Sequence, residues 1–183
     1  MMHVMLDLET MGIGTKAAVI AIGAVKFHPR GEPGTFDTSD PDLSPYFYMN
    51  VNLQSAIDAG LTVDGATVMW WLKQSEAARE RLTQDATSLQ AALNEFAIWI
   101  GASRPPVWGN GAAFDCVVLR NAYLATGVYP PWGFRDERCY RTLRTVTPEV
   151  AWEPPTVAHD ALQDAMAQAK HLQKIYKHLN RVE

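Results

Sequence analysis

The chain has 183 residues, of which 48% are hydrophobic and 20% charged, and its formal net charge is −4. This composition is typical of one globular domain and excludes a disordered or strongly basic protein. Two cysteines, Cys116 and Cys139, are too few for a secreted disulfide framework or a clustered zinc site. Asp7 comes too early for a signal peptide, and the longest apolar run, residues 17–25, is too short to span a bilayer. We therefore expect a cytoplasmic protein with no membrane partner.

The first half of the chain is predicted to begin with strands and continue with helices. Three segments have the β-branched and alternating character of strands: residues 3–8, 18–27 and 46–53. A long exposed loop, rich in proline and glycine, is predicted over residues 31–45. Helices are predicted over residues 67–80 and 88–100. The second of these has Ser88 as its cap and apolar residues at helical spacing, namely Leu89, Ala92, Leu93, Phe96 and Ile100.

The second half alternates short strands with helices. A strand over residues 105–108 leads into a glycine-rich turn and then a helix from about Phe114, and a loop near residues 129–133 precedes another strand near 139–141. The last helix is predicted over residues 161–179, because Asp160 can cap it and Gln163 follows at the spacing of a capping box. This order predicts an α/β fold with a mixed central sheet flanked by helices, in a single domain over residues 1–183.

Two acids near the N-terminus can carry chemistry. Asp7 and Glu9 are two residues apart on a predicted strand, so their carboxylates lie on one face, roughly 7 Å apart along it, while Leu8 faces the other side. Two like charges held that close repel unless a cation lies between them. The alternative is that both acids merely end the strand at a polar rim, and by themselves the two residues leave that choice open.

Three further residues join this pair later in the chain. Asp115 lies near the start of a predicted helix, where an acid also suits the helix dipole without any catalytic role. Asp164 lies in the first turns of the last helix beside the core-facing positions, and a partly buried acid needs a partner such as a metal ion. His159 precedes the cap of that helix, a place where a lone histidine is usually a capping or solvent residue.

Taken together, these residues form the pattern Asp-x-Glu, Asp, His-x4-Asp, which resembles the DnaQ-like, or DEDD, exonuclease superfamily in its histidine (DEDDh) branch. The matching segments are residues 7–12, 113–115 and 158–165. A closer resemblance is to the phage exonuclease A and bacterial 3′-5′ exoribonuclease group. It is carried by Met11, Met69-Trp70-Trp71, Trp108-Gly109-Asn110-Gly111 and Arg141-Thr142. The chain departs from the wider superfamily at Gly111, where an asparagine is usual, and at Cys139, where relatives often carry an acid.

The resemblance implies an RNase H-like fold and a metal-dependent 3′-5′ exonuclease. Two ions, Mg²⁺ or Mn²⁺, are expected on Asp7, Glu9, Asp115 and Asp164, with His159 as the general base. The implied partner is single-stranded nucleic acid, RNA or DNA, with a free 3′ end, and the products are nucleoside 5′-monophosphates. Some relatives form homodimers. Substrate contacts are expected from Thr10, Met11, Asn110 and Phe114.

Arginines supply a further prediction about substrate binding. Residues 135–144 contain four arginines against two acids in a chain whose net charge is −4. Arg138 and Arg141 flank the predicted strand near residue 139, so we expect them to contact phosphates. Trp70 and Trp71 are about 100° apart on a helix, so they cannot face the core equally, and one of them can stack on a base.

Two other functions compete with the exonuclease prediction. Residues 12–17 match the loose dinucleotide-binding pattern G-x-G-x-x-A, but that pattern needs a helix to follow it, and residues 18–27 are predicted to be a strand. The second competitor is a non-catalytic nucleic-acid-binding module of the same fold. All five reactive positions are filled, which favours the enzyme.

Overall fold

The computed structural model describes residues 1–36 and 43–180 of the chain. Within them, five strands form one sheet in the order β3-β2-β1-β4-β5. β1 pairs antiparallel with β2, and β2 with β3, whereas β1–β4 and β4–β5 are parallel pairs. The predicted mixed sheet is therefore confirmed. The strands are β1 (His3–Thr10), β2 (Val19–Phe27), β3 (Tyr46–Asn50), β4 (Val107–Gly109) and β5 (Glu137–Cys139).

Seven helices flank this sheet in the described part of the chain. They are α1 (Leu53–Asp58), α2 (Gly65–Trp71), α3 (Glu76–Thr83), α4 (Leu89–Ile100), α5 (Asp115–Ala125), α6 (Tyr140–Val146) and α7 (Ala161–Leu179). Five of them begin with a side chain that accepts a backbone N–H of the first turn, which satisfies donors that the helix itself cannot pair. These caps are Asn52, Asp64, Ser75, Ser88 and Asp160.

The sheet separates two hydrophobic clusters. Val4, Leu6 and Leu8 of β1 pack into the larger cluster together with residues of α4 and α5. Met5 belongs to the other cluster, with Ala165 and Leu172 of α7. Because side chains alternate along a strand, Asp7 and Glu9 lie on the α7 face with Met5. Among the described residues, no helix combines the length and the apolar character needed to cross a membrane.

The structure differs from the predicted elements in three places, and one predicted loop is described only in part. The third strand ends at Asn50, because Asn52 caps the unpredicted helix α1. The helix predicted over residues 67–80 is broken, since Ser75 caps a new helix. The last strand ends at Cys139, and the chain turns at once into α6. Within the predicted loop over residues 31–45, residues 37–42 lie outside the described part of the chain.

Gly23 sets how closely α7 approaches the sheet. It lies opposite Asp7 in the β1–β2 pairing. A Cβ added at Gly23 would lie 2.2 Å from the carbonyl carbon of Ala161 and 2.3 Å from the backbone nitrogen of Leu162. The first turn of α7 therefore rests directly on the backbone of β2, which brings the acidic residue of that turn, Asp164, over β1.

Candidate active site

Three carboxylates converge where β1 meets the start of α7. Asp7, Glu9 and Asp164 each offer one oxygen, and these oxygens all lie within 4.8 Å of one another. Asp7 and Glu9 come from β1, where residues two apart lie on the same face. Asp164 comes from α7, which approaches the sheet closely at Gly23. Glu9 is buried, whereas Asp7 and Asp164 are partly exposed. The structure thus brings together three of the four predicted acids around one point.

Asp115, the fourth acid, adjoins this group from the first turn of α5. It is buried, and its Oδ2 atom has no hydrogen-bond partner within residues 1–36 and 43–180. Gly109 makes room for it, because a Cβ at that position would lie 2.8 Å from Asp115 Oδ2. The charge of Asp115 also raises the pKa of Asp7, which places the two carboxylates within electrostatic reach of each other.

Burial raises the pKa values of all four acids, and repulsion from other acids of the group adds to this for Asp7 and Glu9. Burial is the largest cause for Asp7, followed by the charges of Asp115, Glu9 and Asp164. Burial together with neighbouring carboxylates raises the pKa of Glu9 from 4.5 to about 8, and burial raises that of Asp115 from 3.8 to about 7. The pKa of Asp164 is raised mainly by burial as well. Groups of this kind are stabilised as charged species by a cation placed among them.

His159 lies at the rim of this group. Its backbone N–H donates to Asp164 Oδ2 at 3.0 Å, and its φ of +63° is in the left-handed region, which is rare for residues other than glycine. The imidazole packs edge-on against Trp70, with ring centroids 4.8 Å apart. His159 is therefore tied through its backbone to an acid, while its ring reaches toward α2.

A cavity of about 430 Å³ opens beside the carboxylates. Its size falls in the range of about 300–1,000 Å³ that is usual for small-molecule sites. Its walls are mostly apolar, and Glu9 reaches its edge. The residues that line it are Leu8, Glu9, Thr10, Gly12, Ile13, Asp64, Ala66, Thr67, Trp70, Trp71 and Phe114.

The predicted substrate residues are distributed unevenly around this cavity. Thr10 and Phe114 line it, whereas Met11 packs against the larger hydrophobic cluster. Trp71 is 4% exposed, and its Nε1 donates to the carbonyl of Thr10, so it is a core residue. Trp70 is 41% exposed and is the tryptophan available for stacking.

The two predicted phosphate-binding arginines lie in different places. Arg141 donates to the carbonyl of Asn110 at 2.7 Å, and its charge lowers the pKa of Asp115, so it lies at the edge of the acidic group. The charge of Arg138 instead helps to lower the pKa of His3. His3 lies four residues before Asp7 on β1, so the two residues are roughly 13 Å apart along the strand. The structure does not bring Arg138 to the site.

Comparison with known proteins agrees with this geometry. Residues 2–176 match the model of the 3′-5′ exoribonuclease Rv2179c-like domain family. The chain belongs to that family. An exodeoxyribonuclease of Enterobacteria phage T4 is 30% identical over 126 residues, which cover 65% of this chain and 54% of that protein. The predicted resemblance to DnaQ-like exonucleases is thereby confirmed, and the dinucleotide-binding alternative is wrong, because a strand follows residues 12–17.

Solved structures with this fold include E. coli exonuclease I. Its zinc-bound complex with single-stranded DNA superposes with a TM-score of 0.68 at 14% identity, covering 99% of this chain and 41% of that one. Its complex with a dT13 oligonucleotide has a TM-score of 0.66 at 14% identity and covers 99% of this chain and 42% of that one. The chain therefore spans about half the length of the phage relative and less of the exonuclease I structures.

The structure adds polar residues that sequence patterns did not single out. Arg81 of α3 pairs with Asp160 at 3.1 Å and stacks over the ring of Tyr48 at 3.8 Å. Asp160 also caps α7 directly after His159, so this pair fixes the backbone that carries the histidine. Gln168 of α7 donates to Asp7 Oδ1 at 2.8 Å. No spacing rule indicates such contacts, because they join segments that are distant in the sequence.

The raised pKa values predict how the metal-free protein responds to pH. The pKa values of Glu9 and Asp115 are higher in the folded protein than in the unfolded chain, so the folded state binds more protons. The contribution of these two acids to the free energy of unfolding is therefore present at low pH and is lost as pH rises through about 7 to 8. We expect the Tm measured in a chelator to be lower at pH 8.5 than at pH 6. Glu9→Gln should flatten this dependence. A Tm that stays constant or rises with pH would contradict the charge repulsion.

Proposed function

We propose that this protein is a divalent-metal-dependent 3′-5′ exonuclease that hydrolyses single-stranded nucleic acid to nucleoside 5′-monophosphates. One observation carries the proposal: three carboxylates lie within 4.8 Å of one another beside an apolar cavity, with a histidine at the rim. Family membership supports it. So do relatives whose names are those of exonucleases.

The donor set fits hard divalent cations. Carboxylate oxygens are the ligands that Mg²⁺ and Mn²⁺ prefer, and Asp7, Glu9 and Asp164 offer three that no arginine or lysine neutralises through a salt bridge among the described residues. Two such ions would supply an activated water and neutralise charge on the leaving oxygen. Asp7, Glu9 and Asp164 would hold these ions, and Asp115, whose buried Oδ2 has no hydrogen-bond partner among the described residues, would assist them.

His159 is assigned the proton transfer. A general base must reach the water it deprotonates, and an imidazole at the rim of the carboxylates can swing from the Trp70 ring toward them while its backbone stays bound to Asp164. This assignment makes the protein a member of the DEDDh branch.

The cavity is assigned to the 3′-terminal nucleotide. Its apolar walls suit the face of a base, and the half-exposed ring of Trp70 or the ring of Phe114 offers a surface for stacking. Glu9 at the cavity edge would place the terminal phosphodiester next to the acids. Asn110 and Met11 do not line the cavity, and their predicted substrate contacts stay predictions. The homodimer expected from relatives stays a prediction.

The direct test uses one oligonucleotide sequence as RNA and as DNA, labelled at the 5′ end, with chelator, Mg²⁺ or Mn²⁺. We expect a ladder that shortens from the 3′ end, with mononucleotide products only when metal is present. A 3′-phosphate block should prevent it, and closed circular strands should stay intact. Binding without any product in either metal would instead favour the non-catalytic module.

Replacement of the histidine tests the proton transfer. General-base assistance contributes about 10²–10⁴ in rate, so His159→Ala should be slower by that factor while the Kd for substrate changes little. Single-turnover rates and binding to an oligonucleotide in Ca²⁺ would measure the two effects. His178→Ala is the matched control, because His178 lies near the far end of α7 and pairs with Glu149. Full activity in His159→Ala would remove the histidine from the mechanism.

Arg141 and Arg138 form a matched pair for testing phosphate contact. Because only Arg141 lies beside the acidic group, Arg141→Ala should flatten the dependence of log K on log salt by roughly 0.7 for a single strand. Arg138→Ala should leave that slope unchanged. Both slopes can be measured by fluorescence anisotropy on one labelled oligonucleotide. If both variants flattened the salt dependence equally, the specific phosphate contact predicted for Arg141 would be contradicted.

A further inference from the structure

Helix α7 buries two glutamines, although glutamine is mostly an exposed residue. Gln168 is 3% exposed and Gln173 is 0% exposed. Burying an amide costs stability unless its polar atoms are hydrogen-bonded. The two residues therefore each need an explanation, and the structure provides different ones.

Gln173 is explained by the fold. Its Nε2 donates to the carbonyls of His28 and Thr35, and its Oε1 accepts the backbone N–H of Gly34. Both ends of the amide are satisfied, and all three partners are backbone groups of the segment that follows β2. Gln173 thus fastens that segment to α7, far from the carboxylates.

Gln168 is not explained by the fold. Its Nε2 donates to Asp7 Oδ1 at 2.8 Å, but its Oε1 is buried and has no hydrogen-bond partner in the part of the chain that the structure describes. An apolar side chain at this position would leave no orphaned acceptor inside the protein. The residue therefore carries a folding cost, and its one side-chain hydrogen bond is made to an acid of the candidate active site.

The geometry points to a positioning role: we infer that Gln168 fixes the rotation of the Asp7 carboxylate toward a bound divalent cation. The terminal torsion of an aspartate side chain is soft, so a carboxylate without a directional partner can rotate broadly. A donor on Oδ1 defines the plane of this carboxylate, which also offers an oxygen to the group formed with Glu9 and Asp164. Outer partners of metal ligands commonly act in this way.

The location of Gln168 on α7 strengthens this inference. Asp164 and Gln168 are one helical turn apart and share a face of α7. This face of α7 thus carries both the Asp164 carboxylate and the Gln168 amide that binds Asp7. Since α7 rests on β2 at Gly23, the packing of this one helix on the sheet positions both Asp164 and Gln168 against β1.

The experiment compares Gln168→Leu with Gln173→Leu, two equivalent changes on one helix. Mn²⁺ affinity is measured by titration calorimetry without nucleic acid, and Tm is measured in chelator. Gln168→Leu should weaken the Kd for Mn²⁺ about 10–100-fold and leave Tm unchanged or higher. Gln173→Leu should keep the Kd and lower Tm by at least about 4 °C, because three backbone partners lose their bonds.

Three results would overturn the inference. Wild-type affinity for Mn²⁺ in Gln168→Leu removes the positioning role. A loss of Tm in Gln168→Leu as large as that in Gln173→Leu, with unchanged affinity, makes Gln168 a structural amide. The inference rests on the proposed metal site, so a wild-type protein that binds no Mn²⁺ overturns that site as well. Gln168→Met, which preserves the unbranched chain, is measured in the same way if Gln168→Leu does not fold.

Discussion

Asp7→Ala is expected to lower the rate of hydrolysis by at least ~10³-fold while the protein stays folded. Its carboxylate offers one oxygen to the group formed with Glu9 and Asp164, so its loss removes one of the three converging acids proposed to bind metal. The effect should be at least as large as the ~10²–10³ that a single oxyanion-stabilising donor contributes in other enzymes. The metal-free variant should also be more stable than the wild type, because one of four mutually repelling acids is gone.

Two measurements check this expectation on the same samples. Single-turnover hydrolysis in Mg²⁺ reports the chemistry, and thermal unfolding in chelator reports the repulsion. Asp58→Ala is the control, since Asp58 is an exposed aspartate on α1 that accepts a hydrogen bond from Gln54 within its own helix. It should match the wild type in rate. Activity in Asp7→Ala near that of Asp58→Ala would show that hydrolysis does not depend on this carboxylate.

Gly23→Ala is expected to disrupt stability and activity together. The added Cβ would lie 2.2 Å from the backbone of Ala161, and neither partner is a flexible side chain that could move aside. Either β2 or α7 must shift, at a cost of at least about 1–3 kcal/mol for overpacking. The same shift withdraws Asp164 from Asp7, and a displacement of about 1 Å in a catalytic group can cost roughly 10²-fold in rate.

Gly14→Ala is the matched control, because a Cβ at Gly14 meets nothing within 4 Å. Urea unfolding gives the free energy of each variant, and Mn²⁺ titration shows whether the carboxylates still converge. We expect the Gly23 variant to lose both stability and metal affinity and the Gly14 variant to lose neither. A Gly23→Ala protein with wild-type stability would mean that α7 does not rest on the strand as described.

Local rules in the sequence predicted the parts of the site that depend on local geometry. Asp7 and Glu9 share a face because the period of a strand is two, whatever the rest of the chain does. Asp160 caps α7 as the capping pattern indicated, and this set the start of the helix that carries Asp164. The family pattern then named the acids that the structure brings together.

Contacts between distant segments could not be predicted in this way. Trp70 and Trp71 are equivalent by helical spacing, and only the hydrogen bond of Trp71 to the carbonyl of Thr10 separates the core residue from the exposed one. Arg138 lies within β5 and Arg141 follows it, yet of the two only Arg141 lies near Asp115, because α6 begins at Tyr140 and turns the chain. The orphaned atom of Gln168 likewise appears only once α7 is packed on β1.

The location of the carboxylates also links catalysis to the order of folding. The hydrogen-bonded pair Asp7 and Gln168 is 161 residues apart in the sequence. Closing so long a chain segment is entropically slow, and contacts of this separation form late in folding. In a partly folded chain in which α7 has not yet packed on the sheet, Asp7 and Glu9 therefore lack Asp164 as a neighbour. The proposed nuclease activity would then require the completed fold, and a cation bound there would stabilise that fold over partly folded states.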